Sequence, residues 1–288
     1  MSDPTRSSVA GLNAFARNVH SQSGEDGILE RALELLPTRD QWAVEFGAWD
    51  GKYFSNTFHL VKSRDYQAVL IECDARRFKA LEAHCREYPR CLPLRALVGF
   101  GAEDNLDVVL GGTPLPNDFD LLSIDIDGND YHVWEACRAH RPKVVIIEYN
   151  PTIPTAVDFV QPRDPAVNQG TSLRALARLG KSKGYELIAT TRLNAVFVDQ
   201  RYFPAYGIAD NSPEALRADE SAVTYLFNGY DGTVFVRGYG KMGWHGLPYH
   251  ESRLQQLPRW LRQYPKHYSR WKRPLAKLYR SLRKRRLL

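Results

Sequence analysis

With 288 residues, 43% of them hydrophobic and 25% charged, the chain has material for one large α/β domain with additions, or for two small domains. No apolar run approaches the roughly 18 to 20 residues that a membrane-spanning helix needs, and the opening MSDPTRSSVAG lacks the apolar stretch of a secretory signal, so a cytoplasmic protein is expected. The formal net charge of +6 is unevenly spread: nine of the 39 Lys and Arg residues fall within 270–288, where no acid occurs, leaving 30 basic against 33 acidic residues before it.

Residues 1–36 read as an N-terminal segment ending in a helix. Ser23 with Glu25 and Asp26 close behind marks the helix start, and Ile28, Leu29, Ala32, Leu33 and Leu36 follow at helical spacing before Pro37. A core is expected over 37–200. Its first strand, in QWAVEFGAWDG, ends at Glu45 and turns through Gly47 and Gly51; the second, QAVLIECD, ends at Glu72 and Asp74, with a helix over FKALEAHCREY after it. LPLRALVGF (92–100) is a weaker third strand. The apolar runs at 121–126 and 144–147 suit buried fourth and fifth strands. Strand and helix alternating in this way argue for a parallel sheet covered by helices on both faces. After Asn150, PTIPTAVDFVQPRDPAVNQG reads as a long loop or lid; a helix from Ser172, a strand over 185–190 and an antiparallel partner over 195–198 follow. Residues 201–265, aromatic and glycine-rich without clear periodicity, form an addition on the acceptor side. Residues 266–288 form a basic amphipathic tail, in which Trp271, Leu275, Leu278 and Leu282 make an apolar stripe. Cys73, Cys85, Cys91 and Cys137 show no CxxC spacing, which points to free buried thiols rather than disulfides or zinc ligands.

The chemistry concentrates at strand ends, where ligands gather in open α/β sheets. Asp125, Asp127, Asn129, Asp130, Glu148 and Asn150 are expected to converge on one rim, and such a cluster is costly unless a cation, a ligand or dense hydrogen bonding satisfies it. Glu72, about 25 residues after the first strand end, is the acid that accepts ribose hydroxyls in nucleoside sites. The loop GAWDG is not a GxGxxG, so a cofactor without a phosphate fits it better than a dinucleotide.

Taken together, SQSGEDGI (21–28), VEFGAWDGKYFSNT (44–57), VLIECD (69–74), LLSIDIDGNDYHVWE (121–135) and VVIIEYN (144–150) resemble the FkbM-like branch of class I S-adenosylmethionine-dependent methyltransferases. The resemblance implies a Rossmann-like fold with a mostly parallel seven-stranded sheet and an antiparallel terminal strand. It also implies S-adenosylmethionine as cofactor, with Glu45 and Gly47 in the cofactor loop, Glu72 on the adenosyl ribose, Asp125 beside the methionine moiety, and Gln22 and Glu25 closing over the pocket. A carbohydrate, glycosylated metabolite or lipid-linked glycan is the implied acceptor.

For a hydroxyl acceptor, Asp127, Asp130 and His132 are the groups placed to take its proton. Mg²⁺ is an alternative means of lowering the hydroxyl pKa, with oxygen ligands from Asp127, Glu148 and Asn150. Two other readings stay open: a metal-dependent glycosyltransferase using Asp125 and Asp127 as a DxD motif that holds a nucleotide-sugar diphosphate through its cation, and a non-catalytic domain that keeps the cofactor pocket. The tail suits an anionic membrane surface at the inner face of the membrane, whereas the absence of a reading module disfavours nucleic acid.

Overall fold

Short apolar runs bounded by polar clusters build one sheet in the computed structural model, which describes residues 11–217 and 219–285. Residues 1–10 of the expected N-terminal segment, Ala218 of the expected addition and residues 286–288 of the tail lie outside the described residues. The strands are β1 (Trp42–Phe46), β2 (Gln67–Ile71), β3 (Cys91–Leu94), β4 (Leu121–Ile124), β5 (Val144–Glu148), β6 (Tyr185–Thr190) and β7 (Asn194–Asp199). Their order is β3-β2-β1-β4-β5-β7-β6, with β1 to β5 parallel and β7 antiparallel to both its neighbours. The expected seven-stranded, mostly parallel sheet is therefore present, and its antiparallel strand sits one place in from the edge. β3 is shorter than its apolar run. It is an edge strand carrying Pro93, which has no N–H to give a ladder, and it ends at Leu94.

Strand alternation sends successive side chains to opposite faces. Val44, Phe46, Val69, Ile71, Leu122, Ile124, Val145 and Ile147 meet α4 (Leu106–Leu110), α5 (Asp130–Ala136) and α6 (Leu173–Ser182). Ala43, Ala68, Leu70, Leu121, Val144 and Ile146 meet α1 (Glu25–Glu34), α2 (Phe58–Ser63) and α3 (Ala75–Glu87). Glu45, Ser123 and Glu148 continue the second series, so polar side chains end this apolar face where β1, β4 and β5 run out. α6 starts where the sequence indicates, with the Ser172 hydroxyl accepting from the Ala175 N–H. A four-residue helix, α7 (Pro213–Leu216), follows the sheet. All four cysteines are free as expected, but Cys73 is exposed; it lies in the turn after β2, where the chain has left the core.

The chain divides into two compact units at Glu220 and Ser221. The second holds a hairpin of β8 (Thr224–Asn228) and β9 (Val234–Gly238), a short α8 (Glu251–Leu254) and α9 (Lys272–Lys284).

At the amino ends of the central strands, Asp120 is wholly buried and gathers four donors: the Asp40 N–H at 3.2 Å, the Gln41 N–H at 3.0 Å, the Tyr66 hydroxyl at 3.0 Å and Lys143 Nζ at 2.7 Å. Lys143, itself buried, also reaches Asp40 at 3.1 Å. Removing one partner of a buried pair strands the other charge, which costs several kcal/mol. Asp120→Ala is therefore expected to lower the unfolding free energy by about 3–5 kcal/mol in urea titration, leaving Lys143 without its nearest acid.

Candidate functional site

From β1 the chain crosses to β2 on one side and later returns to β4 on the other, so a crevice opens at the carboxyl ends of β1 and β4. Gly47 forms one lip. Its φ is +79°, and a Cβ there would lie 1.8 Å from the carbonyl oxygen of Asp125, so no side chain fits where the ends of β1 and β4 meet. Beside it, Trp49 holds a left-handed φ of +50°. That turn is fixed by Glu72, buried at the end of β2, which accepts the Trp49 N–H at 3.1 Å and the Asp74 N–H at 2.7 Å. Each Glu72 oxygen keeps a further lone pair for a ligand hydroxyl.

Several expected cofactor residues are engaged by the protein itself. Glu45 accepts from the Ser55 hydroxyl at 2.6 Å, the Thr57 hydroxyl at 2.7 Å and the Asn56 N–H at 2.8 Å, holding the segment that leads into α2. Burial pushes its pKa up, and these donors oppose the shift. Glu25 is fully buried; it accepts from the Thr191 hydroxyl at 2.7 Å, Asn194 Nδ2 at 3.1 Å and the Ser23 N–H at 2.6 Å, tying the start of α1 to the β6–β7 hairpin. Next to it, Asp26 draws in the N–H groups of Val19, His20 and Ser21 at 2.7–2.8 Å, an anchor that sequence pattern alone does not reveal. Gln22 is exposed on that anchored loop.

The opposite lip is acidic. Asp125, Asp127 and Glu148 each bring a carboxylate oxygen within 4.8 Å of the others. Asp125 is pushed up to about pKa 8, first by burial and then by the negative charges of Asp130, Asp127, Glu45 and Glu25. Glu148 is raised well above the usual carboxylate range by burial, then by Asp125, Asp130 and Asp127. In both cases the largest causes are burial and neighbouring negative charge. Asp127 is the exposed member, presented on a left-handed residue with φ +57°.

The other rim residues turn inward. Asp130 is buried and accepts the Ile126 N–H at 3.0 Å and the Gly128 N–H at 2.9 Å, so it shapes the loop that presents Asp127. Burial raises its pKa to about 6 against the pull of those amides. His132 is also buried, with Nε2 3.0 Å from the Gln161 carbonyl oxygen and its ring against Phe100 and Tyr131. Both ends of the Asn150 amide are taken: Oδ1 accepts from the Thr152 N–H and hydroxyl at 2.9 and 2.7 Å, and Nδ2 donates to the Gln169 carbonyl at 2.9 Å. Asn129 Nδ2 donates to the carbonyls of Asp164 and Val167, both at 3.3 Å. His132, Asn129 and Asn150 thus pin the 151–170 loop from three points.

Sequence reasoning passed over an aromatic shelf beside the glycine loop. Trp49, Tyr53 and Phe54 are exposed and in ring contact in series, and the Arg77 guanidinium lies 3.9 Å from the Trp49 ring centroid. A cleft of about 490 Å³ adjoins it, lined by His20, Tyr53, Phe54, Phe58, His84 and Tyr88 among others. The signal was legible as three aromatics within six residues of a glycine turn.

No protein-family model matches the chain, and no curated protein matches it in sequence. Among solved structures it is similar to M. capricolum TrmK in complex with S-adenosylhomocysteine, at 11% identity over 59% of this chain and 67% of that one, with a TM-score of 0.39. A SAM-dependent methyltransferase from Aquifex aeolicus is similar at 11% identity over 68% and 97%, TM-score 0.38. The glycopeptide N-methyltransferase MtfA complexed with S-adenosylmethionine is similar at 11% identity over 59% and 85%, TM-score 0.36. At TM-scores below 0.5 these likenesses carry no argument about this chain, whose chemistry rests on its own residues.

The Asp125 shift has a stability consequence with a definite sign. Its folded pKa of about 8 lies above the ordinary carboxylate value, so the folded state binds more protons between the two and stability falls as pH rises through that window. Asp125→Asn lacks this penalty. In chelator-containing buffer, its Tm is expected to match the parent near pH 4 and to exceed it by roughly 10 °C above pH 8. A constant difference across the range would show that Asp125 titrates normally.

Proposed function

We propose that this chain is an S-adenosylmethionine-dependent methyltransferase of the FkbM-like type, acting on a hydroxyl of a carbohydrate or glycosylated acceptor. The observation that carries the cofactor is the acid-only crevice. Asp125 and Glu148 are half-buried carboxylates, and the largest causes of their raised pKa values are burial and one another's negative charge with that of Asp127 and Asp130. A ligand that brings positive charge relieves this cost. Adenosylmethionine brings two, a sulfonium and an ammonium, against the single carboxylate of its methionine moiety. A nucleotide sugar or a dinucleotide brings a diphosphate, which these acids accept only through a bridging cation, and the set of Glu45, Gly47 and Glu72 suits an adenosyl group better than a sugar nucleotide. The remaining lone pairs of Glu72 suit the ribose hydroxyls, and the exposed Tyr53 ring, tilted against Trp49, offers an aromatic face to a purine.

Transfer from a sulfonium requires the acceptor oxygen in line with the methyl group and a base for its proton. Asp127 suits the second task, because it is the exposed acid of the cluster and its loop is held rigid by Asp130. The carbohydrate acceptor is supported by the motif resemblance. Mg²⁺ is a second reading favoured by one observation: Asp125, Asp127 and Glu148 supply three mutually close, hard oxygen donors. Bound there, it would lower the pKa of an acceptor hydroxyl. Asn150, engaged at both ends of its amide, is not needed in that set.

Calorimetry with adenosylmethionine and with a uridine diphosphate sugar separates the readings. Adenosylmethionine is expected to bind and the sugar nucleotide not, with Asp125→Ala and Glu72→Ala each weakening the cofactor at least tenfold, about 1.4 kcal/mol. The reverse preference would overturn the proposal. Asp127→Asn is expected to keep cofactor affinity within about threefold while abolishing methyl transfer from labelled adenosylmethionine to a panel of sugars. Normal turnover by that variant would remove Asp127 from the mechanism.

A further inference from the structure

The division at Glu220 and Ser221 is also a division of charge. Residues 221–288 hold 15 Lys and Arg against two acids, whereas residues 1–220 hold 24 against 31. Both acids of the second unit are occupied: Asp231 accepts from the Thr233 N–H and hydroxyl at 2.9 and 2.8 Å, and Glu251 pairs with Arg237 at 2.8 Å. Its surplus of positive charge is therefore uncompensated from within.

Apolar exposure accompanies that charge. On α9, Trp271 is 84% exposed, Leu275 50% and Leu278 57%, falling at i, i+4 and i+7 on one stripe, while Ala276 turns inward at 3%. Lys272, Arg273, Lys277, Arg280 and Lys284 flank the stripe. Tyr230 at 91% and Trp244 at 65% are exposed elsewhere in the same unit. A merely solvated basic helix has no use for a leucine and tryptophan stripe, and a nucleic-acid phosphate backbone gains nothing from exposed leucines. An anionic bilayer uses both: headgroups meet the cations, the acyl boundary takes the leucines, and the indole sits at the interface.

We infer that residues 221–288 form a membrane-docking unit that seats α9 on an anionic phospholipid surface through Trp271, Leu275 and Leu278. No helix among the described residues is long and apolar enough to cross a membrane, and docking of this kind requires none. The inference stands apart from the methyltransferase reading, since none of its residues belongs to the crevice.

Cosedimentation of the full chain with vesicles tests it, using phosphatidylcholine alone and phosphatidylcholine with about 30% phosphatidylglycerol. The expected result is binding to the anionic vesicles at least about tenfold tighter than to the neutral ones, weakening as salt is raised. The double variant L275D/L278D is expected to lose at least about tenfold while keeping the far-ultraviolet dichroism of the parent. The variant K277E/K284E, which leaves the stripe intact, is expected to bind more weakly and with a shallower salt dependence, and it decides the matter should the first variant not fold. Equal binding by both variants and the parent would overturn the inference. So would tight binding to a short RNA with none to the anionic vesicles.

Discussion

The crevice exists because β1 and β4 meet at Gly47, where even a methyl group would lie 1.8 Å from the Asp125 carbonyl. That contact fixes the position of residue 125 independently of what its side chain costs. With the backbone held there, the Asp125 carboxylate stands at the mouth of the switch point with Asp127 and Glu148, and burial and mutual repulsion raise its pKa. Sites store such cost where the scaffold over-determines the geometry. The left-handed residues at Trp49 and Asp127, one on each lip, belong to the same pattern.

Acids do two opposite things in this fold, and their hydrogen bonds separate them. Asp26, Glu45, Glu72, Asp120 and Asp130 each collect two or more donors and serve as joints. Asp125 and Glu148 are instead governed by burial and by the negative charges around them. A satisfied buried carboxylate stiffens what it touches, whereas an unsatisfied one is a demand placed on a ligand. The distinction matters because the sequence presents all seven as similar acids at strand and helix ends.

Much of the sheet was legible from periodicity. The strand at Tyr185–Thr190 and the Ser172 cap match the pattern residue for residue, because alternation and capping are local effects. What was illegible is non-local. Nothing near Glu25 announces Thr191 and Asn194 as its partners, 166 and 169 residues away. Asp130 and Asn150 are a different matter: each bonds amides within its own loop, and an Asn followed two residues later by Thr is a recognisable side-chain turn. The β8–β9 hairpin also carried a signal, since two short continuous apolar runs flank GYDG, whose Gly229 N–H closes the turn on the Thr233 carbonyl at 2.8 Å. Aromatic abundance in that region masked the pattern.

The segregation of charge gives the two units separate electrostatic tasks. The first unit, acidic overall and with its acid excess extended into the crevice, attracts a cationic ligand and is repelled by an anionic surface. Were the 13 surplus positive charges of the second unit spread over the first, both effects would shrink toward zero at physiological salt, where screening acts over about 8 Å. The positive charge is instead confined to 68 residues that also carry an exposed apolar stripe. On the two proposals made above, the chain would hold a cationic ligand among carboxylates and approach a polyanion, which gives it reason to keep the two charges in different units.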